Sequence, residues 1–185
     1  MGEIKLNLTP GDYIVVPLRG SKDFPYLLGE QRRKISITKG QTTTMDIDYS
    51  NGTKCLAENT LIYTANGPVA VQNLHEGTKI WTINKNGEKE LQPILKTSSA
   101  TVPNNYAIVR LVLSDGRELY VSPGHPTYNG KTISELKIND KYDKARVIYY
   151  DTVQYHSDRT YDLLPAGDTG FYWANGILMG STLKE

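Results

Sequence analysis

Short runs of alternating apolar and polar residues, separated by turn dipeptides, fill most of the chain. Lys79-Ile80-Trp81-Thr82-Ile83 and Glu118-Leu119-Tyr120-Val121 have the two-residue period of a half-buried strand. Ala107-Ile108-Val109-Arg110-Leu111-Val112-Leu113 is a longer run rich in β-branched residues. Asn-Gly pairs stand at 51–52, 66–67, 86–87, 129–130 and 175–176, and Asp115-Gly116 adds a sixth hairpin signal. Helical turns are expected only around Val71–Glu76 and Ile133–Ile138. The pattern predicts an all-β protein.

One stretch echoes another. Val71-Gln72-Asn73-Leu74-His75-Glu76-Gly77-Thr78-Lys79-Ile80 reads like Ile133-Ser134-Glu135-Leu136-Lys137-Ile138-Asn139-Asp140-Lys141-Tyr142, and Thr64-Ala65-Asn66-Gly67 like Thr127-Tyr128-Asn129-Gly130. Two units are too few for a solenoid but suit a duplicated β domain with pseudo-two-fold symmetry. The alternative is that two generic hairpin segments look alike.

The first 54 residues read differently. Leu8–Val16 is a turn followed by a strand. Lys34–Thr38 and Thr42–Tyr49 alternate around Lys39-Gly40-Gln41. The segment resembles the end of a carboxypeptidase-regulatory-like β-sandwich module. It is too short to bury much on its own. The boundary is expected at Ser50-Asn51-Gly52-Thr53-Lys54.

Composition removes several classes of function. The 185 residues carry 21 Lys and Arg against 20 Asp and Glu, a balance that gives nucleic acid or an anionic membrane no purchase. No apolar run approaches a membrane span, and the start lacks a secretory signal or a myristoylation context. A single cysteine excludes an internal disulfide framework and a cysteine-rich zinc site. His75, His125 and His156 show no ligand spacing, so neither metal nor cofactor is called for. A free thiol and no signal are compatible with a reducing cytoplasm.

That cysteine, Cys55, follows the module boundary. A lone cysteine is usually a small buried hydrophobe. At this place, however, its thiol could reach the carbonyl carbon of Lys54. Turning that amide into a thioester requires loss of the thiol proton, a proton for the departing nitrogen and a hold on the oxyanion. Ser122-Pro123-Gly124-His125-Pro126 follows a predicted strand, and its prolines and glycine would hold the imidazole in a stiff turn. Ser122 could turn back beside it. An incidental histidine in a turn is the other reading.

Three segments together resemble Hint domains, the Hedgehog and intein family. They are Cys55-Leu56-Ala57-Glu58-Asn59-Thr60-Leu61-Ile62 with Val71–Gly77, then Ser114–Pro126, then Tyr161-Asp162-Leu163 with Tyr172–Leu178. The resemblance runs from Cys55 to about Thr182 and implies a horseshoe-like, pseudo-two-fold β domain over 55–185, preceded by a flank over 1–54. It implies Cys55 as nucleophile of an N-to-S acyl shift at the Lys54–Cys55 bond, and His125 as proton donor to the departing nitrogen. Ser122, where threonine is usual, would orient the peptide bond. Asp162 would move a proton to or from the thiol; a turn-capping carboxylate is the alternative. His75 and His156 match no role and are read as structural.

The departures narrow the expectation. Inteins end in His-Asn before Ser, Thr or Cys, whereas Met179-Gly180 stands here before Ser181-Thr182. Without the asparagine, splicing stops short. What remains is cleavage or transfer of the flanking segment, with water or an unknown nucleophile as acceptor. No sterol-binding segment of the Hedgehog kind follows Thr182. The alternative is an inactive Hint fold kept as a structural or interaction module. A cysteine protease acting on other proteins is a weaker third reading.

Overall fold

In the computed structural model of the chain, residues 6–15, 18–20, 25–27, 33–43, 53–103 and 106–184 are described. The fold is nearly all β. In the N-terminal segment β1 (Gly11–Val15) pairs with β4 (Arg33–Ile37), and β2 (Leu18–Gly20) with β3 (Pro25–Leu27). The β1–β4 ribbon has no buried residue among those described, consistent with a segment too short to own a core. Most of the strand expected over Thr42–Tyr49, and most of the boundary at Ser50–Lys54, lie outside the described residues, as does the Asn51-Gly52 turn.

From Cys55 on, one antiparallel sheet holds everything together. Its strands are β5 (Leu56–Ala57), β6 (Leu61–Thr64), β7 (Gly67–Ala70), β8 (Lys79–Ile83), β9 (Lys89–Thr101), β10 (Ala107–Leu113), β11 (Glu118–Val121), β12 (Lys141–Tyr142), β13 (Ala145–Gln154), β14 (Arg159–Pro165), β15 (Phe171–Ala174) and β16 (Ile177–Gly180). The spatial order is β12-β13-β10-β11-β5-β14-β9-β8-β6-β15-β16, with β7 beside β6. The Asx-Gly pairs outside 51–52 all fall at hairpin turns. At Asn175-Gly176 both residues have positive φ, 49° and 78°, as a two-residue turn twisted with its strands requires.

The duplication is real at the level of single hydrogen bonds. Gly77 N donates to Ile94 O and Ile94 N to Thr78 O; Asn139 N donates to Val147 O and Val147 N to Asp140 O. Thr64 Oγ1 closes its turn on Gly67 O, and Thr127 Oγ1 closes its turn on Lys131 O, each at 2.7 Å. The expected helical turns are three-residue 3-10 turns, Val71–Asn73 and Ile133–Glu135, each ended by an extended leucine. The halves also exchange a strand. β10 follows β9 in sequence but pairs with β13, and β14 follows β13 but pairs with β9. The apolar core therefore runs through both halves, from Ile62 and Ile80 to Leu111, Ile133 and Tyr142.

Candidate functional site

The exchange leaves β5 at the centre of the sheet. Leu56 pairs with Val121 of β11 on one side and with Tyr161 of β14 on the other. Cys55, just ahead of β5, is thereby set between the end of β11 and the middle of β14. Alternation along β14 turns Thr160 and Asp162 to one face, and both are buried. After β11 the chain turns at Ser122-Pro123-Gly124. His125 N donates to Ser122 O, and Ser134 N and Ile133 N tie the loop down on Pro123 O and His125 O. The stiffness expected from its prolines and glycine is thus reinforced by backbone bonds within its own half.

The Lys54–Cys55 peptide is gripped at both ends. Cys55 N donates to Ser122 Oγ at 3.1 Å, and Ser122 N returns a bond to Cys55 O at 2.9 Å. His125 Nδ1 lies 2.5 Å from Lys54 O. A carbonyl only accepts, so Nδ1 carries the proton. The ring thus touches the carbonyl oxygen, where charge would build during attack on that carbon, rather than the nitrogen named from the sequence. On the far side of the ring, Tyr172 Oη is 3.2 Å from His125 Nε2 and donates to Asp162 Oδ1 at 2.7 Å. Asp162 Oδ2 accepts from Thr182 N at 2.8 Å and Thr182 Oγ1 at 2.5 Å, and Oδ1 also accepts from Leu163 N. This carboxylate joins β14, β15 and the segment after β16, which is more than the capping of one turn.

Burial sets the electrostatics. The Cys55 thiol is raised from 9.0 to about 11, first by desolvation and then by the charge of Asp162. His125 is lowered from its usual value because burial disfavours the imidazolium; Asp162 and the Lys54 and Gly180 backbone pull the other way. The Tyr172 phenol is held well above 10, by burial and then by Asp162, so it stays protonated and donates. At neutral pH the constellation is a protonated thiol, a neutral imidazole and a phenol.

Cys55, Ser122, His125 and Asp162 are brought together, with the Lys54 carbonyl among them. His75 and His156 are exposed. Among the described residues no group of three His, Cys, Asp or Glu side chains could hold a metal ion. Four members were not read from the sequence. Tyr172 sits on an inward position of β15, and a fully buried tyrosine needs a partner for its hydroxyl, which was the available signal. Tyr106 donates to Ser122 Oγ at 2.9 Å. Thr160 Oγ1 is buried with no hydrogen-bond partner of good geometry; the Cys55 thiol is the group it faces, and it pulls that thiol's pKa down. Thr182 lies beyond the last strand.

Comparison with known proteins agrees with this fold. The family model described as "Hint domain" matches residues 54–147. The solution structure of a bacterial intein-like domain from Clostridium thermocellum is similar, with a TM-score of 0.60 and 21% identity, covering 69% of this chain and 99% of that one. A DnaB intein from Synechocystis sp. PCC 6803 has a TM-score of 0.61 and 16% identity, covering 70% of this chain and 99% of its own. The gp41-1 intein has a TM-score of 0.54 at 20% identity, over 68% of this chain and 97% of that chain. No curated protein matches the chain significantly.

Proposed function

Because the chain belongs to the Hint domain family, we propose that it is an autoprocessing element that performs an N-to-S acyl shift at Cys55 and releases or transfers the segment ending at Lys54. The observation that carries this reading is the two-ended grip on the scissile amide: Lys54 O on His125 Nδ1 at 2.5 Å and Cys55 N on Ser122 Oγ at 3.1 Å. Cys55 Sγ attacks the Lys54 carbonyl carbon, and the oxygen gains charge against the His125 N–H. As the carbon pyramidalises, the same N–H can pass from the oxygen to the adjacent nitrogen, which leaves as an amine. The Cys55 thiol gives its proton to the Asp162 carboxylate; Tyr172 takes a proton from Asp162 and passes its own to His125 Nε2, so the imidazole that gives up its Nδ1 proton stays neutral. Water or an external nucleophile then cuts the thioester. Met179-Gly180 offers no side chain that could cyclise, so the reaction ends at cleavage rather than splicing.

The domain division follows: residues 1–54 are flank and substrate, residues 55–185 the Hint domain. Neither nucleic acid nor a membrane is a partner in this reading. No helix among the described residues is long and apolar enough to cross a membrane. A thiol that must stay reduced suits the cytoplasm. Cys55 is only 8% exposed, which argues against a protease acting on other proteins.

One observation favours a second reading, an inactive fold kept as a structural or interaction module. A thiol raised to about 11 is almost wholly protonated at pH 7. Intact mass of the purified protein, followed over days with and without dithiothreitol, separates the two. Break-up between Lys54 and Cys55, absent in Cys55→Ala, is the expected result. An unchanged mass in strong thiol eliminates self-cleavage and leaves the module.

A further inference from the structure

The scissile nitrogen is the end of a chain of hydroxyls that begins on the flank itself. Thr53 Oγ1 donates to Tyr106 Oη at 2.5 Å; Tyr106 Oη donates to Ser122 Oγ at 2.9 Å; Ser122 Oγ accepts the Cys55 N–H at 3.1 Å. The same phenol also lies 3.3 Å from Thr53 O, and Thr53 Oγ1 lies 3.4 Å from Ser122 Oγ. Tyr106 is only 3% exposed, and its ring meets Tyr155 edge-on, with centroids 6.2 Å apart, so the phenol is held in place from behind. Successive hydrogen bonds of this kind polarise one another. A phenol that donates to Ser122 while accepting from the flank favours a hydroxyl at position 53. A valine there, of nearly the same shape, would take that donor away and weaken the bonds that follow it.

Resting on the self-cleavage reading, we propose that the domain selects its flank by the residue two before Cys55, taking a hydroxyl-bearing side chain there, and that Tyr106 is the reader. Tyr106 is a positioning residue: it touches neither the carbonyl nor the thiol, and acts through Ser122. The substrate class is then a peptide ending in Thr or Ser, one residue, and the scissile bond.

The test uses the full chain with Thr53→Ser, Thr53→Val, Tyr106→Phe and the double variant Thr53→Val/Tyr106→Phe. Cleavage in dithiothreitol should be about fivefold slower in Thr53→Val and within about twofold of the parent in Thr53→Ser. In the Tyr106→Phe background the effect of Thr53→Val should shrink to less than about twofold, what the long direct Thr53–Ser122 contact leaves. A Thr53→Val protein that cleaves at the parent rate overturns the proposal, as does a valine effect that stays above about twofold without the phenol. Hydrogen exchange of the Cys55 amide gives a second readout that does not need cleavage. Thr53→Val and Tyr106→Phe should each speed it about fivefold, non-additively, and Thr53→Ser should not. A parent chain that never cleaves sinks the self-cleavage reading but leaves this exchange pattern to decide recognition; unchanged exchange in Thr53→Val overturns it. If Tyr106→Phe does not fold, Thr53→Val and Thr53→Ser still decide the preference for a hydroxyl at position 53.

Discussion

The two halves of the domain each close a turn with a threonine hydroxyl, on Gly67 O in one and on Lys131 O in the other, and put opposite residues behind it. Counting back two positions from Thr64 reaches Ile62; counting back two from the matching Thr127 reaches His125. Both are fully buried. Ile62 is part of the apolar core, while His125 turns its ring to the Lys54 carbonyl and Tyr172. The scaffold thus buries an apolar side chain at one copy of this position and an imidazole at the other. Ile62 contributes stability; His125 is the polar exception that the rest of the site must satisfy.

Removing each of these two residues in turn is the largest way to break the comparison. Ile62→Ala should lower the unfolding free energy by about 3 kcal/mol through loss of buried surface and the cavity left behind. His125→Gln should slow thiol-induced cleavage at least about 100-fold, yet cost only about 1 kcal/mol in stability. Urea unfolding and intact mass measure the pair. Equal stability losses, with equal cleavage rates, would mean that both positions are simply core.

A second difference lies in how each half responds to acid. The imidazole of His125 is held below its ordinary value by burial, so the unfolded chain takes up a proton before the folded one does. More protons on the unfolded state mean that stability rises with pH. This contribution is present above the unfolded value near 6.5 and is lost as pH falls through that value towards the lower folded one. The slope cannot exceed about 1.4 kcal/mol per pH unit for one group. His125→Gln should flatten the part of the stability profile at about pH 5–7, and Ile62→Ala should leave its slope intact while lowering the whole curve. A slope unchanged by His125→Gln would place the acid sensitivity elsewhere.

How much of this could be read from residues alone depends on the range of the interaction. Ala107–Leu113 was legible as a strand to the residue, because β-branched periodicity ended by Asp115-Gly116 is local. The paired turns at Val71 and Ile133 were legible from their repetition, although the chain makes them shorter than expected: Leu74 and Leu136 turn inward as extended residues instead of continuing a helix. Cys55, Ser122, His125 and Asp162 were legible through three motifs. The strand exchange was not, since nothing local tells β9 to pair with β14 rather than with its successor. Nor were Tyr172 and Tyr106, whose hydroxyls reach partners as far as 47 and 53 positions away in the chain.

The smallest prediction asks whether the repeat is a repeat in energy as well as in geometry. Gly77 and Asn139 occupy matching places with φ of 83° and 74°, and each donates its N–H to the long strand that follows it. This left-handed conformation is free for glycine, tolerable for asparagine and strained for alanine. A Cβ at Gly77 would meet nothing within 4 Å, so the backbone alone decides the outcome. Gly77→Ala should therefore destabilise by about 1 kcal/mol, while Gly77→Asn, which installs the other half's residue, should cost no more than about 0.5 kcal/mol. Denaturant midpoints at constant slope resolve the two. If asparagine at 77 is as costly as alanine, the two turns share hydrogen bonds but not the local backbone preference that makes them interchangeable.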